Sequence, residues 1–482
     1  MKKTVLLMRP NGTEDKKDTY ITFPLGLGYI AAILKNDDYD VHVIDLTLED
    51  VNYESLADRI NHINPDVIGI SALSHLYPQV KKLASFLNKH TKSEIILGGH
   101  LAHHSYTPIL ENTTVDVCVV GEGELTIVNL LENMDNLKSV KGIAYKDNGE
   151  VILNTPRELV SDLDSIPFPA YEYFNIEEYS SFDDVYLSKK HVRKGKVHKV
   201  MSIEAGRGCP FNCHFCSKMF SKVRKRSVDS IIKEIKFLYD TYDIDTIWFQ
   251  DELLFSNKKY MFEFCDKIKD LDIGWYGNAR IDSVDRELIQ KATDNKCLLV
   301  AYGVETGSKT ILKNMNKRTT PEKIIKTLRA SIDIGLPLDM GLILGYPGET
   351  QDTVNETIDM LNAVGYPGLK FRYITPYPGS KLYNECIADG TINDEEKYLI
   401  SLGDGSGPYK FRINFTDFTD TELRNLVSKT SKKVFKNYVL YLLKHPRKLF
   451  KYIFQKDVMN PLYIIYNKWK NATNYDKAWE DE

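Results

Sequence analysis

The chain has 482 residues, of which 43% are hydrophobic and 27% charged, and its formal net charge at pH 7 is −4. At roughly 150 residues per domain, this length predicts about three domains that can each bury a core. The composition excludes a disordered chain, a collagen-like repeat and a small disulfide scaffold, and the net charge gives no general attraction to nucleic acid. The apolar run near the N-terminus is too short for a signal peptide, and no run reaches ~18 apolar residues. We therefore expect a cytoplasmic enzyme without a transmembrane segment.

The first third of the chain alternates strand-like and helix-like segments. Its strands read as continuous apolar runs, which is typical of strands buried on both faces of a parallel, doubly wound sheet. A hairpin is predicted around Asp147-Asn148-Gly149. We assign a Rossmann-type domain to residues 1–155 and a linker to residues 156–198. The predicted strands are Thr4–Met8, Val41–Asp45, Val67–Ser71, Glu94–Gly98 and Val115–Val120.

A second α/β series begins at Val200. Six strand and helix units of this spacing predict a parallel (β/α)6 partial barrel, with chemistry at the carboxyl ends of the strands. We assign this barrel to residues 199–390 and a mainly helical, basic and aromatic region to residues 391–482. The predicted strands are Met201–Glu204, Thr246–Phe249, Trp275–Asn278, Leu298–Val304, Leu338–Leu344 and Leu369–Ile374.

Three of the seven cysteines lie close together directly after the first predicted barrel strand. Cys209, Cys213 and Cys216 form a C-x3-C-x2-C array. Three thiolates at this spacing can ligate three irons of a [4Fe–4S] cluster and leave the fourth iron for a substrate. Structural zinc is the alternative, although it normally uses four ligands and paired C-x2-C spacing. The remaining cysteines are widely separated and are typical of buried small side chains.

This array, with the aromatic Phe215 before its last cysteine, resembles the radical S-adenosylmethionine (radical SAM) superfamily. The resemblance implies that the amino and carboxylate groups of S-adenosylmethionine (SAM) chelate the open iron. It also implies that one electron from the cluster cleaves SAM, and that the resulting 5′-deoxyadenosyl radical abstracts a substrate hydrogen. A closed barrel interior would protect such a radical from water.

Further segments resemble the SAM-binding segments of the same superfamily. The resemblance assigns Asp251 and Glu252 to the methionine amino group and Arg280 to its carboxylate. A helix cap or salt-bridged pair is the alternative for the two acidic residues, and a surface ion pair is the alternative for Arg280. Glu305, in the sequence G-V-E-T-G, matches the ribose and amino-group segment. Gly341 and Gly345 match the adenine-supporting segment, in which Glu349 could simply cap the next helix.

The N-terminal domain resembles the cobalamin-binding domain of one large radical SAM subgroup. Small residues at the carboxyl edge of a parallel sheet leave room for a large ligand, although glycine-rich strand ends also occur in sheets that bind nothing. The D-x-H-x-x-G cobalt-ligand sequence is absent, so loss of cobalamin also stays open. His75, His100, His103 and His104 are loop candidates for a cobalt ligand, although each is more typical of a surface histidine or of one that lies behind the direct ligands. The resemblance assigns cobalamin contacts to Ser71, Ser74, Gly98, Gly99, Gly121 and Gly123.

The resemblance implies a radical SAM enzyme with a [4Fe–4S] cluster, SAM and cobalamin that methylates an unactivated carbon. Radical cyclisation or carbon–carbon coupling without methyl transfer is one alternative, and a non-catalytic cobalamin or iron–sulfur binding module is another. We expect a small-molecule or lipid-like substrate, an electron donor such as flavodoxin or ferredoxin, and no nucleic acid. The basic, aromatic C-terminal region packs on the barrel or lies against a lipid, which would make the protein peripheral to a membrane.

Overall fold

The structure is a computed structural model that describes residues 3–12, 21–48, 52–180, 199–366, 371–404 and 407–446. The chain divides into two compact units: the first contains residues 1–180, 217–230 and 377–407, and the second contains residues 181–216, 231–376 and 408–482. The domain boundaries named from the sequence stay predictions, and residues 181–198 of the predicted linker lie outside the described residues.

The strands follow the predicted order along the chain, and their ends either agree with the prediction or differ from it by a few residues. They are β1 Thr4–Arg9, β2 Asp40–Asp45, β3 Val67–Ser71, β4 Glu94–Gly98, β5 Val117–Val119, β6 Ile143–Asp147, β7 Glu150–Leu153, β8 Val200–Ile203, β9 Gly206–Arg207, β10 Arg224–Lys225, β11 Thr246–Phe249, β12 Gly274–Arg280, β13 Cys297–Glu305, β14 Leu338–Leu344 and β15 Phe371–Tyr373. Residues 369 and 370 of the last predicted strand lie outside the described residues.

The helices alternate with these strands. They are α1 Leu25–Asn36, α2 Tyr53–Ile63, α3 Tyr77–His90, α4 Gly99–Asn112, α5 Glu124–Glu132, α6 Ile176–Ser180, α7 Val228–Tyr242, α8 Lys258–Ile268, α9 Arg286–Asp294, α10 Lys309–Asn314, α11 Pro321–Ile334, α12 Gln351–Val364, α13 Lys381–Ala388, α14 Glu395–Leu402 and α15 Asp420–Lys444. Short 3₁₀ helices lie at Ser74–Leu76, Met134–Ser139, Leu163–Ser165, Tyr171–Tyr173 and Gly407–Tyr409.

The first unit is built on a seven-stranded sheet of order β2-β1-β3-β4-β5-β6-β7. Its first five strands are parallel, and the predicted hairpin adds β6 and β7 antiparallel at one edge. The apolar runs of the strands pack against α1 and α5, with Val5, Ala31 and Leu130 fully buried. Ser71 and Gly98 are neighbours in the β3–β4 register. The carboxyl ends that carry the predicted cobalamin contacts therefore lie side by side.

The second unit contains a six-stranded parallel sheet of order β15-β14-β13-β12-β11-β8. Because spatial order follows chain order, each βα unit places its strand next to the previous one, as a partial barrel requires. Trp275, Phe249 and Phe264 are fully buried, and the Trp275 indole donates to the Asn295 carbonyl oxygen at 2.7 Å. The predicted fold class is confirmed.

The C-terminal region contains α15, a helix of 25 residues. Its N-terminus has a capping box, in which Thr419 and Glu422 each accept from the other's backbone N–H. The later basic and aromatic residues, from Arg447 onward, lie outside the described residues. In the described ranges, no helix combines the length and apolar character that crossing a bilayer requires.

Candidate functional site

The cysteine array forms a loop after β9 in the second unit. The loop is folded on itself, since the Cys216 N–H donates to the Cys213 carbonyl oxygen at 3.1 Å. Gly208 enters the loop with φ +89°, a left-handed conformation that favours glycine. Cys209 and Cys213 are half-buried and Cys216 is exposed. The three thiols are therefore reachable from solvent rather than part of a core.

The three thiols lie close enough to act on one another. Desolvation, and then the neighbouring thiols of Cys213 and Cys209, raise the pKa of Cys216 to about 12. Such mutual repulsion is relieved when thiolates bind a positively charged metal centre. No three His, Cys, Asp or Glu side chains converge on one ion position in the described ranges. A cubane does not require this convergence because each cysteine bonds a different iron. Three neighbouring thiols on one loop are the donor set that a [4Fe–4S] cluster uses, so the residues present fit this cofactor.

Arg280, at the end of β12, lies against this loop. Its guanidinium carbon lies 4.0 Å from the centroid of the Phe211 ring, and its Nη1 is 3.5 Å from the Cys213 sulfur. Its Nε is 2.6 Å from Asp282, and only 7% of Arg280 is exposed. Arg280 therefore faces the cysteines as a buried cation rather than forming a surface ion pair.

The acidic segment after β11 separates into two environments. Asp251 is 1% exposed, and its carboxylate accepts from the Ala205 N–H at 2.8 Å, which ties the ends of two strands together. Glu252 is exposed, and its negative charge contributes to the raised pKa of Cys216. Of the two predicted contacts to the SAM amino group, Glu252 is the one that lies open beside the cysteine loop.

Glu305 is placed by an irregular end of β13. It has φ +67°, and the register with β14 shifts between Gly303 and Glu305. Its carboxylate lies 2.6 Å from the Lys317 ammonium, and both side chains are almost fully buried. A Cβ on Gly303 would lie 2.8 Å from Glu305 Oε1, whereas a Cβ on Gly341 would lie 3.8 Å from Glu305 Oε2. Gly303 therefore makes room for the ion pair, and Gly341 leaves space beside it.

The segment Met315–Lys317, which the sequence analysis did not single out, connects Glu305 with the cysteine loop. The His214 N–H donates to the Met315 carbonyl oxygen at 3.0 Å, and Asn316 Nδ2 donates to the Asn212 carbonyl oxygen at 2.7 Å. Lys317 Nζ is 5.8 Å from the centroid of the Phe215 ring. The turn after α10 thus contacts both the cysteine loop and Glu305, the residue predicted to bind the SAM ribose. No local pattern in the sequence marks this role.

The segment from Gly345 to Glu349 forms a turn at the end of β14. Gly345 has φ +84°, and its N–H donates to the carboxylate of Glu349. Glu349 is 1% exposed, and burial raises its pKa to about 7. The N-cap of α12 is Thr350, so Glu349 holds the turn instead of capping the helix. The backbone of Gly345 is therefore fixed where the resemblance places the adenine.

The predicted cobalamin contacts lie at the carboxyl edge of the first unit's sheet. A Cβ on Gly121 would meet nothing within 4 Å and one on Gly98 only a carbonyl oxygen at 3.9 Å, so these two glycines border open space. A Cβ on Gly99 would lie 2.8 Å from the Ala72 carbonyl oxygen, and one on Gly123 would lie 2.9 Å from Ile30. These two glycines are required by protein packing. The Gly98 and Gly121 positions fit a bulky ligand at this edge.

Glu122, between two of these glycines, is part of the protein interior. Its carboxylate lies 2.8 Å from Arg224 Nη1, and both side chains are buried. The same carboxylate accepts from the Val160 N–H at 2.7 Å. The ion pair therefore fixes the loop that follows β5.

Three of the four candidate histidines lie on α4 rather than in a loop, because β4 runs directly into this helix. His100 Nδ1 is 3.3 Å from the Ser74 hydroxyl, and its Nε2 is 3.0 Å from the carbonyl oxygen of Ser217, the residue after Cys216. The rings of His100 and His103 have centroids 4.6 and 4.4 Å from that of His104. Desolvation lowers the pKa of His104 to about 3, and also lowers those of His100 and His103. They are neutral, partly buried imidazoles, so the surface alternative is wrong for these three. A position behind the direct cobalt ligands stays a prediction.

His75, the fourth candidate, lies in the 3₁₀ helix Ser74–Leu76. Desolvation lowers its pKa as well. Ser71 Oγ would lie 3.0 Å from a Cβ on Gly99, so this hydroxyl is directed at the turn between β4 and α4.

Two family models match the chain. The model described as B12 binding domain matches residues 16–131, and the model described as Radical SAM superfamily matches residues 203–361. The second match contains the cysteine loop, Arg280, Glu305 and Lys317. A parallel partial barrel with a three-cysteine loop after its first strand defines the class of radical SAM proteins.

Relatives agree with this class. The chain is 31% identical over 405 residues to an "uncharacterized methyltransferase" from Pyrococcus horikoshii. The aligned region covers 81% of this chain and 84% of the relative. The chain is 27% identical over 451 residues to the cytidylyl-2-hydroxyethylphosphonate methyltransferase of Streptomyces wedmorensis, with 81% and 83% covered. The chain belongs to the radical SAM enzymes that carry a cobalamin-binding domain.

A solved structure shows the same fold. The cobalamin-dependent S-adenosylmethionine radical enzyme OxsB, with aqua-cobalamin and S-adenosylmethionine bound, matches with a TM-score of 0.67 at 19% identity. The match covers 100% of this chain and 80% of that one. The predicted family and enzyme class are confirmed, and the predicted cofactors are those that the two matched domains imply.

Proposed function

We propose that this enzyme is a cobalamin-dependent radical SAM methyltransferase that acts on an unactivated carbon of a small-molecule or lipid-like substrate. The observation that carries the proposal is the connection of the three-cysteine loop to the Glu305–Lys317 ion pair by the segment Met315–Lys317. The open carboxyl edge at Gly98 and Gly121 supports the cobalamin part. The names of the two relatives support methyl transfer.

Each group of residues has a defined task in this proposal. Cys209, Cys213 and Cys216 would hold a [4Fe–4S] cluster, which supplies one-electron reduction of SAM, while cobalamin supplies methyl-group transfer. Arg280 offers a buried guanidinium beside the Cys213 sulfur, where it could hold the SAM carboxylate next to the open iron.

On the SAM side, Glu305 presents an acceptor for a ribose hydroxyl or an ammonium, and Lys317 keeps that carboxylate in one orientation. Glu349 holds the Gly345 backbone for the adenine. Glu252 offers an exposed carboxylate for the SAM amino group. The buried walls of β11 to β13 exclude water from the barrel interior, which a radical reaction requires.

An electron donor would approach at the cysteine loop. Cys216 is exposed, so the cluster would lie near the surface and within reach of a small acidic protein such as flavodoxin or ferredoxin. Both donors are cytoplasmic, and a cytoplasmic location is part of the proposal.

Anaerobic turnover tests the proposal. The enzyme would be reconstituted with iron, sulfide and cobalamin, reduced, and incubated with SAM and candidate substrates, with the Cys216→Ala enzyme as control. Methylated substrate together with 5′-deoxyadenosine and S-adenosylhomocysteine is the expected result. Deoxyadenosine without S-adenosylhomocysteine would indicate radical cyclisation or coupling instead. Formation of neither product, with both cofactors bound, would indicate a non-catalytic binding module.

A further inference from the structure

One face of α15 has a composition that packing inside the protein does not explain. Every exposed residue between positions 429 and 444 is a lysine or a leucine. At 100° per residue these side chains fall within an arc of about 120° on the helix. The opposite face, with Val427, Val434 and Leu442, is buried. The seven exposed residues are Lys429, Lys432, Lys433, Lys436, Leu440, Leu443 and Lys444, and we call them the lysine–leucine face.

The two leucines stand at the end of this face and are accessible to a large extent. Leu440 is 46% exposed and Leu443 is 62% exposed. Leu440 also lines a groove of about 310 Å³ between α12 and α15, together with Leu361, Tyr438, Tyr441 and Lys444. A groove lined by both apolar and polar side chains therefore lies beside the exposed leucines.

The sequence that follows α15 has the same character. Residues 447–470 contain six basic residues, one acidic residue and six aromatic residues. These residues lie outside the described part of the chain, and only their composition is used. The positive charge is concentrated here although the whole chain carries −4.

We propose that the lysine–leucine face binds the surface of a bilayer that contains anionic lipids. Basic side chains with neighbouring exposed apolar side chains are the features of segments that lie in the membrane interface. The lysines are attracted to anionic headgroups, and the two exposed leucines are transferred out of water into the upper acyl region. Nucleic acid also attracts lysine, but its phosphate backbone has no apolar surface on which two exposed leucines could be buried.

Vesicle co-sedimentation with the full-length protein tests this proposal. Binding is measured to vesicles of phosphatidylcholine alone and to equimolar phosphatidylcholine and phosphatidylglycerol. We expect binding to the anionic vesicles only, with an affinity that falls as salt rises because the attraction is screened. Equal binding to both vesicles, or to neither, would overturn the proposal.

Two pairs of variants separate the contributions of charge and apolar surface. The Lys429→Gln/Lys436→Gln variant is expected to lose about fivefold in affinity for anionic vesicles for each lysine replaced. The control is Lys89→Gln/Lys92→Gln, which replaces two exposed lysines outside the lysine–leucine face. Leu440→Ser/Leu443→Ser is expected to lose at least tenfold, with the comparably exposed Leu125→Ser/Leu153→Ser as control.

Thermal melting and the cofactor absorption spectrum establish that each variant is folded. The proposal fails if the test variants bind like their controls. It also fails if a single-stranded oligonucleotide binds more tightly than the anionic vesicles and depends on the same lysines. None of these assays measures methyltransferase activity. The result for membrane binding is therefore independent of whether the proposed function is correct.

Discussion

The ammonium of Lys317 lies 2.6 Å from the carboxylate of Glu305, and the two side chains are only 6% and 11% exposed. A buried ion pair is costly to break on one side, because the remaining charge is left without a counter-charge. The same lysine lies beside Phe215 of the cysteine loop. Replacing Lys317 should therefore disturb the predicted SAM contact and the predicted cluster loop together.

We predict that Lys317→Met weakens SAM binding at least tenfold, while Lys317→Arg restores most of the affinity because it keeps the positive charge. The measurement is the SAM-dependent change in the electron paramagnetic resonance spectrum of the reduced cluster, titrated with SAM. Lys291→Met is the matched control, since Lys291 pairs with Asp266 on the surface of the same unit. A Lys317→Met enzyme with the affinity of this control would contradict the assigned role.

Cysteine substitutions should divide into two groups. Alanine at Cys209, Cys213 or Cys216 should prevent assembly of a stable cluster, because three protein ligands are the minimum for this type of site. Cys386→Ala should retain the cluster, since burial raises the pKa of Cys386 to about 11 and keeps it a protonated thiol. Iron and sulfide content after anaerobic reconstitution is the measurement. A zinc-filled loop in anoxically purified protein would instead support the structural-zinc alternative.

Glu349 should make the stability of the second unit depend on pH. Burial raises its pKa from 4.5 to about 7, so the folded state favours the protonated carboxyl. This contribution is fully present below about pH 4.5 and is lost as the pH rises through 7. Between pH 5.5 and 8 the loss amounts to about 2 kcal/mol.

Glu349→Gln should remove this dependence, since the amide oxygen can still accept from the Gly345 N–H and has no proton to release. Urea unfolding of both proteins at the two pH values gives the comparison. Equal pH dependence in the wild type and the variant would show that Glu349 does not titrate in this range.

Gly379 and Gly390 form a matched pair for a packing prediction. Both have a left-handed backbone, with φ of +86° and +78°. A Cβ on Gly379 would overlap the imidazole ring of His104, whereas one on Gly390 would meet nothing within 4 Å. Gly390→Ala should cost about 1 kcal/mol from backbone strain alone. Gly379→Ala should lower the free energy of unfolding by a further ~1–3 kcal/mol, because the His104 ring must move.

The difference in melting temperature between these two variants measures the overlap directly. Cobalamin affinity gives a second readout, since His104 lies on α4, directly after the predicted contacts Gly98 and Gly99. Equal destabilisation by both alanines would mean that the histidine ring is free to move.

The sequence by itself determined the fold class, the order of the strands and the three-cysteine array. These features depend on local patterns: an apolar run of five residues reads as a buried strand, and a C-x3-C-x2-C spacing brings three thiols together within one loop. The predicted strands Val67–Ser71 and Leu338–Leu344 match the structure residue for residue. The roles of the individual site residues stay predictions.

Only the tertiary structure decided which side chains meet across large separations in the chain. Lys317 lies beside the ring of Phe215, although about a hundred residues separate them in the chain. Arg280 likewise stacks on Phe211. The ring of His104 occupies the space that a side chain at Gly379 would need. The structure also places His100, His103 and His104 on helix α4 as partly buried, neutral imidazoles, whereas the sequence analysis expected them in a loop. Such relationships arise from the packing of distant strands and loops, and no periodicity or spacing within a short segment carries that information.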